Sequence, residues 1–238
     1  MEHSVETAVA GEETVAVAFS GGLDSSVVAA CAKKYVKTFG CAAFSRGSGD
    51  ETRARDAALA LDLEFVTVDI TNENISKELA GIELPFEPTL MDRSLWCLYS
   101  LVSKKARNAG ARVILLGQLA DELFGGYAKY EVAVRVKGED AARSMMESDV
   151  REYARRGRIR DFGACGPWVQ PKLPFEESQV MEFGLSLPLS FKIREGVRKA
   201  ILRRAAIMVG VPEGLASTAK KAAQYSSGVQ KMVANSPF

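Results

Sequence analysis

The chain has 238 residues, 47% apolar and 26% charged, a balance that excludes fibrous, low-complexity and membrane-embedded classes. At this length folding buries roughly 70% of the surface of the unfolded chain, so the core needs no disulfide or metal to hold it. Lys plus Arg number 31 against 30 Asp plus Glu, and a net charge of +1 gives no global field toward nucleic acid or anionic lipid.

Residues 1–13 read as a frayed, acidic leader rather than a signal peptide, and they carry the one histidine, His3. Histidine-based triads and metal sites are therefore poor candidates. Thr14 to Phe19 (TVAVAF) predicts a buried strand, Ser-Gly-Gly a tight turn, and Leu23 to Thr38 a helix. Gly40 to Phe44 is a second apolar run, Thr52 to Leu61 a helix, and Glu64 to Ile70 a third strand. Met91 to Asn108 predicts a long helix ending at Gly110, and Ala111 to Leu116 (ARVILL) a fourth buried strand. Alternation of this kind implies a parallel sheet covered on both faces, an α/β fold that binds ligands at the carboxyl ends of its strands. Beyond Tyr130 helices are expected and no further buried strand, with Asp140 to Arg156 and Arg194 to Val209 clearest and Gly163 to Pro174 an irregular crossing. The expected organisation is a leader over 1–13 and one domain over 14–238, its core at about 14–130 and its helical part at about 131–238. Cys31, Cys41, Cys97 and Cys165 form no Cys-x-x-Cys pair and read as reduced thiols, and no apolar run reaches the ~20 residues of a membrane span. A cytoplasmic protein is expected.

Ser20-Gly21-Gly22-Leu23-Asp24-Ser25-Ser26 joins the first strand to the first helix, where free backbone N–H groups and the helix dipole make an anion site. Glycines at 21 and 22 permit a tight turn and close approach, and the serines add donors. A carboxylate at Asp24 fits such a site if it holds Mg²⁺ against a nucleotide phosphate. The segment SGGLDSS after a buried strand resembles the pyrophosphate loop (PP-loop) of the N-type ATP pyrophosphatases, which adenylate an oxygen and release pyrophosphate.

Leu116 to Tyr127 (LGQLADELFGGY) follows the fourth strand and lies at the same sheet edge if the strands are parallel. Asp121 and Glu122 read either as the first turn of a solvated helix or, with the first loop, as a second acidic wall. In the second case Asp24 and Asp121 could hold Mg²⁺ between them. DELFGGY resembles the SGEGSDE-[LV]-FGGY segment of the asparagine synthetase synthetase domain. Lys172 to Glu177, Lys199 to Arg203 (KAILR) and Lys220 to Val229 resemble three further segments of that family in order.

The resemblance covers nearly the whole chain and implies a three-layer α/β/α fold of the adenine nucleotide alpha hydrolase type with a helical C-terminal part. It puts ATP phosphates on Ser20, Gly21, Gly22, Asp24, Ser25 and Ser26, and Mg²⁺ on Asp24 and Asp121. Adenosine would lie against Phe19, Ala43, Phe44 and Gly117, with Gln118 completing the nucleotide-binding set, and Lys221 rather than Lys220 would neutralise pyrophosphate. The implied activity is an AMP-forming ligase that activates a carboxylate and passes it to ammonia or an amine.

Two departures stand out. Met1 is followed by Glu2 rather than the family's nucleophilic cysteine, so no glutaminase is expected within the chain, and ammonia would come from solution or a separate glutaminase subunit. Gln118 stands where the family has glutamate, and a carboxamide cannot take the proton that an attacking amine must lose, leaving Glu122 as a substitute base. Trp96, Cys97 and Leu98 replace a small hydroxyl residue and a proline near the carboxylate substrate, which points away from aspartate.

Other readings are a tRNA-modifying member of the same superfamily, favoured if Cys97 or Cys165 lies near the pocket, and a nucleotide-binding regulatory subunit. The basic clusters at Arg151, Arg155, Arg156, Arg158 and Arg160, and at Lys192, Arg194, Arg198, Lys199, Arg203 and Arg204, could contact RNA phosphate. Interspersed acids favour solvated helix faces.

Overall fold

The computed structural model describes residues 1–218 and 228–236. Among them, five parallel strands form one sheet in the order β3-β2-β1-β4-β5. Strands β1 (Thr14–Ala18), β2 (Lys37–Ser45), β3 (Glu64–Ile70) and β4 (Val113–Leu115) coincide with the four apolar runs. Helices α2 (Leu23–Ala32), α3 (Gly49–Ala60), α4 (Asn72–Ala80) and α5 (Leu90–Asn108) follow between them. The fold is thus the expected three-layer α/β/α arrangement. Val15, Ala16, Val17, Ile114 and Leu115 are fully buried, as a central parallel strand covered on both faces requires.

From β1 the chain steps to β2 and β3 on one side, then crosses to β4 and β5 on the other. The order therefore reverses between β1 and β4, and the loops leaving those two strands splay apart to open a crevice. Those are the two acidic loops. Val15, Ala16 and Val17 pair with Val113, Ile114 and Leu115, so the loops leave the sheet side by side.

Four expectations are corrected, the last of them in the helical half. The leader is not frayed: Glu2–Val9 forms helix α1, with Val5 and Val9 one turn apart in the core and Ser4 Oγ donating to the Pro174 carbonyl. A fifth strand exists after Tyr130, because β5 (Gln170–Lys172) pairs parallel with β4 at the sheet edge, where Pro171 need not donate a ladder bond. The supposed crossing Gly163–Pro174 thus holds the end of one helix and a strand.

The rest of the second half is helical. It comprises α6 (Ala120–Phe124), α7 (Ala128–Lys137), α8 (Glu139–Glu152), a π-helical turn (Tyr153–Gly157), α9 (Arg158–Cys165), α10 (Ser178–Ser186) and α11 (Leu189–Lys192). The helix expected over Arg194–Val209 begins only at Ala200, because positive φ at Glu195 and Gly196 folds the preceding residues into a small hairpin, β6 (Ile193–Arg194) and β7 (Val197–Arg198); α12 (Ala200–Met208) and α13 (Glu213–Ala216) follow, and a last helix spans Val229–Ala234. No helix among the described residues is long and apolar enough to cross a membrane.

Candidate active site

The first loop turns at Gly21, whose φ of +71° suits glycine and whose missing Cβ would stand 2.9 Å from the Ala54 Cα. Its glycine thus lets α3 close on the loop as well as making the turn. Gly22 caps α2, and Asp24 follows in the first helical turn. In the second loop a Cβ on Gly117 would lie 3.1 Å from Asp24 Cβ, so glycine there lets the two loops touch. Leu119 adopts φ +72° at the start of α6, a left-handed conformation uncommon for a bulky residue. It turns the chain so that Asp121 faces Asp24.

Between these carboxylates lies a group that the sequence did not single out for the site. Lys199 Nζ donates to Asp24 Oδ1 at 2.5 Å and Oδ2 at 2.7 Å, and lies 2.7 Å from Asp121 Oδ1. The residue is 3% exposed. Burial alone would strip its charge, but the two carboxylates outweigh that cost and hold its pKa above the ordinary lysine value. The hairpin aims it: Glu195 and Gly196 both have positive φ, a tight turn that sends β7 back and leaves Lys199 left-handed at φ +58° ahead of α12. The Glu-Gly pair between Ile193-Arg194 and Val197-Arg198 was the available signal. Gly126 completes the cradle, since a Cβ there would fall 1.7 Å from Asp121 Oδ1 and 2.4 Å from Lys199 Cε.

A cavity of about 880 Å³ opens over this point. It is lined by Phe19, Ser20, Asp24, Ser25, Ala43, Phe44, Gly117, Gln118, Asp121 and Glu122 from the expected set. Gly21 and Gly22 do not line it. Nor does Ser26, which is fully buried. Lys220 and Lys221 lie outside the described residues. The volume is near the upper end for a single-ligand pocket and gives room for a nucleotide and a second, smaller molecule.

The residues present fit magnesium. Two carboxylates converge on one position, filled in this structure by the Lys199 ammonium, and no group of three or more His, Cys, Asp or Glu surrounds it among the described residues. Magnesium is commonly held by one or two carboxylates, its other positions filled by water and phosphate oxygens. Lys199 therefore holds in place two negative charges that would otherwise repel.

At the other end of the cavity lie Met91, Asp92, Leu95, Leu98 and Tyr99 of α5, with Tyr153, Arg156, Gly157 and Arg160. Arg160 donates to Asp161 Oδ1 (2.8 Å) and Asp92 Oδ1 (3.1 Å), and Arg156 to Asp92 Oδ2 (3.0 Å). Asp161 Oδ2 also accepts from Gln118 Nε2 and Tyr153 Oη, both at 2.9 Å. Burial works to raise the Asp92 carboxyl, but Thr89, Arg156 and Arg160 together hold it below its ordinary value. Glu122, buried beside the cavity, accepts from Tyr127 Oη at 2.8 Å.

The first basic cluster is largely absorbed by ion pairs, with Arg151 facing Glu147, Arg155 facing Glu152, and Arg158 facing Glu176 at 2.8 Å. Cys97 and Cys165 are fully buried outside the cavity lining, their thiols pushed up to about 12 by burial.

The asparagine synthase family model matches residues 1–165 and 138–236. A Methanocaldococcus jannaschii protein provisionally named asparagine synthetase 1 (glutamine-hydrolyzing) is 30% identical over 270 residues, covering 98% of this chain and 49% of its own length. Asparagine synthetase B (glutamine-hydrolyzing) of Escherichia coli K12 is 25% identical, covering 96% and 44%. Human asparagine synthetase domain-containing protein 1 is 25% identical, covering 71% and 29%. The chain thus spans about half the length, or less, of these relatives. With a match that runs through both acidic loops and the helical half, the chain belongs to the asparagine synthase family.

Proposed function

We propose that the chain is an Mg·ATP-dependent, AMP-forming ligase unit that adenylates a carboxylate and passes the acyl group to ammonia or an amine. The observation that carries this reading is the convergence of Asp24 and Asp121, from separate loops at the sheet's switch point, on one cation position. In the first half-reaction a carboxylate oxygen attacks the α-phosphorus, the bond to the bridging oxygen breaks, and pyrophosphate leaves. Phe19, Ala43 and Phe44 supply an apolar slot for the base, and Ser20 and Ser25 offer hydroxyl donors to phosphate. Asp24 and Asp121 would hold magnesium, which neutralises charge developing on the leaving pyrophosphate. Lys199, paired with the same two carboxylates, would add a fixed positive charge beside the ion.

In the second half-reaction the nitrogen attacks the acyl carbon, AMP departs, and the nitrogen sheds a proton. Gln118 cannot take it, and its amide nitrogen is already committed to Asp161. Glu122 lines the cavity and is the carboxylate we assign to that task. Ammonia would come from solution or from a separate glutaminase.

The test is to incubate the chain with Mg·ATP and carboxylates, with and without ammonia, and with tRNA in a parallel arm, scoring AMP and pyrophosphate. Carboxylate-dependent AMP formation is expected. AMP formed with tRNA alone would replace the reading by base modification, and bound ATP without turnover would leave a regulatory subunit.

A further inference from the structure

The acceptor end of the cavity has an unusual charge arrangement for a site that would hold an amino acid. A dicarboxylic amino acid such as aspartate brings, besides the carboxylate to be activated, a second carboxylate that needs an unspent positive counter-charge once it leaves water. Arg156, Arg160 and Lys129 are the cations of the lining here, and all are engaged, the arginines by Asp92 and Asp161 and Lys129 by Asp149 at 2.6 Å. Glu152 lies 3.7 Å from the Arg156 guanidinium as well. Asp92 is saturated in turn by the backbone N–H and hydroxyl of Thr89 and by both arginines. The network has no surplus positive charge to offer.

What faces the space instead is one side of α5. Met91, Leu95, Leu98 and Tyr99 recur at helical spacing along the cavity wall. Opposite them the π-helical turn brings Tyr153 against Gly157, where a Cβ would fall 2.5 Å from the ring. Such turns are frequent at functional sites. Tyr99 also lines the space, and among the described residues its hydroxyl has no hydrogen-bond partner. Burial raises its pKa well above the ordinary tyrosine value, so it is a neutral donor at working pH.

We propose that the acceptor is a monocarboxylic acid with an uncharged, apolar or aromatic body, seated on the Met91–Leu95–Leu98–Tyr99 face, and that the Tyr99 hydroxyl positions its carboxylate. This rests on the adenylating reading for the orientation of the acid toward ATP, but binding of the acid is a separate measurement.

The test is calorimetric binding of 3-phenylpropionate, hexanoate and L-aspartate to the full chain, loaded with Mg²⁺ and a non-hydrolysable ATP analogue. The two apolar acids are expected to bind at least tenfold more tightly than aspartate, and Tyr99→Phe to weaken them about tenfold, the loss of one hydrogen bond to a charged group. Nucleotide affinity should stay within twofold, which reports that the variant is folded. Aspartate binding as tightly as the apolar acids, none of the three binding, or unchanged affinity in Tyr99→Phe would each overturn the proposal. Apolar acids that bind without forming AMP would leave it standing and sink the adenylating reading instead.

Discussion

Two pairs of arginines, one in the wall of the main cavity and one at the smaller cavity that adjoins it, are treated in opposite ways. Arg156 and Arg160 are locked to Asp92 and Asp161, with Glu152 beside Arg156, so their positive charge is spent within the wall. Arg198 and Arg203 make their hydrogen bonds to main-chain carbonyls, Arg198 to Gly126 and Arg203 to Arg198, Ala216 and Thr218, with no ion pair among the described residues. They line a second cavity of about 360 Å³ that shares Gly126 and Arg198 with the first and has Lys199 in its wall. Burial and the neighbouring Arg198 pull the Arg203 pKa down and outweigh the opposing pull of Asp24, as expected where positive charges crowd together. The end that would receive phosphates keeps free positive charge, while the end assigned to the acceptor has none left.

The largest effects should come from breaking the charged end. Asp24→Asn or Asp121→Asn should lower AMP formation on the order of 10²–10³-fold or more, the scale of losing a principal electrostatic stabiliser, with the far-ultraviolet spectrum unchanged. Full activity in either variant would remove the shared-cation arrangement. Gly126→Ala should do comparable damage without touching a charge, because its Cβ collides with Asp121 and Lys199. An AMP-forming rate within threefold of the parent would show that this cradle is looser than described.

The acceptor end makes a smaller, pH-dependent prediction. Asp92 has its folded pKa depressed, so its contribution to stability is fully present above its unfolded pKa and is lost as pH falls through the folded value. Asp92→Asn leaves Arg156 and Arg160 short of a partner and should cost about 3 kcal/mol at pH 7 by urea denaturation, a cost that shrinks below pH 3. An equal loss at both pH values would mean that Asp92 acts through packing rather than charge.

Gln118→Glu tests the junction between the two ends. A carboxylate beside Asp161 Oδ2 would replace a donor by a like charge, raising the new glutamate's folded pKa. For an acid so raised, folding is penalised as pH climbs above the unfolded value, so the melting temperature should match the parent near pH 4 and drop by a few degrees at pH 8. No drop at pH 8 would show that the Gln118–Asp161 contact is dispensable.

The strands that build the crevice were legible because each is a continuous apolar run, as parallel strands buried on both faces must be. β5 was not legible. Its three residues, Gln-Pro-Lys, have no strand pattern and are ordered only by the free edge of β4. Helix α1 hid for a related reason: two valines four apart in an acidic stretch become informative only once a core is present to receive them. At the site, Asp24 and Asp121 could be read because each follows a strand in a recognisable loop. Lys199 could be matched only as part of a helix motif, since its reach into the crevice depends on a hairpin turn far away in sequence. The pairing of Arg156 and Arg160 with Asp92 and Asp161 was equally out of reach, because a basic cluster in sequence does not say which way its side chains turn.

The most direct measurement is the affinity of a non-hydrolysable ATP analogue with and without Mg²⁺, in the parent chain and in Asp24→Asn and Asp121→Asn. The parent should bind at least tenfold more tightly with the ion present, and each variant should lose most of that difference. An equal gain from Mg²⁺ in all three proteins would contradict a cation held jointly by the two loops.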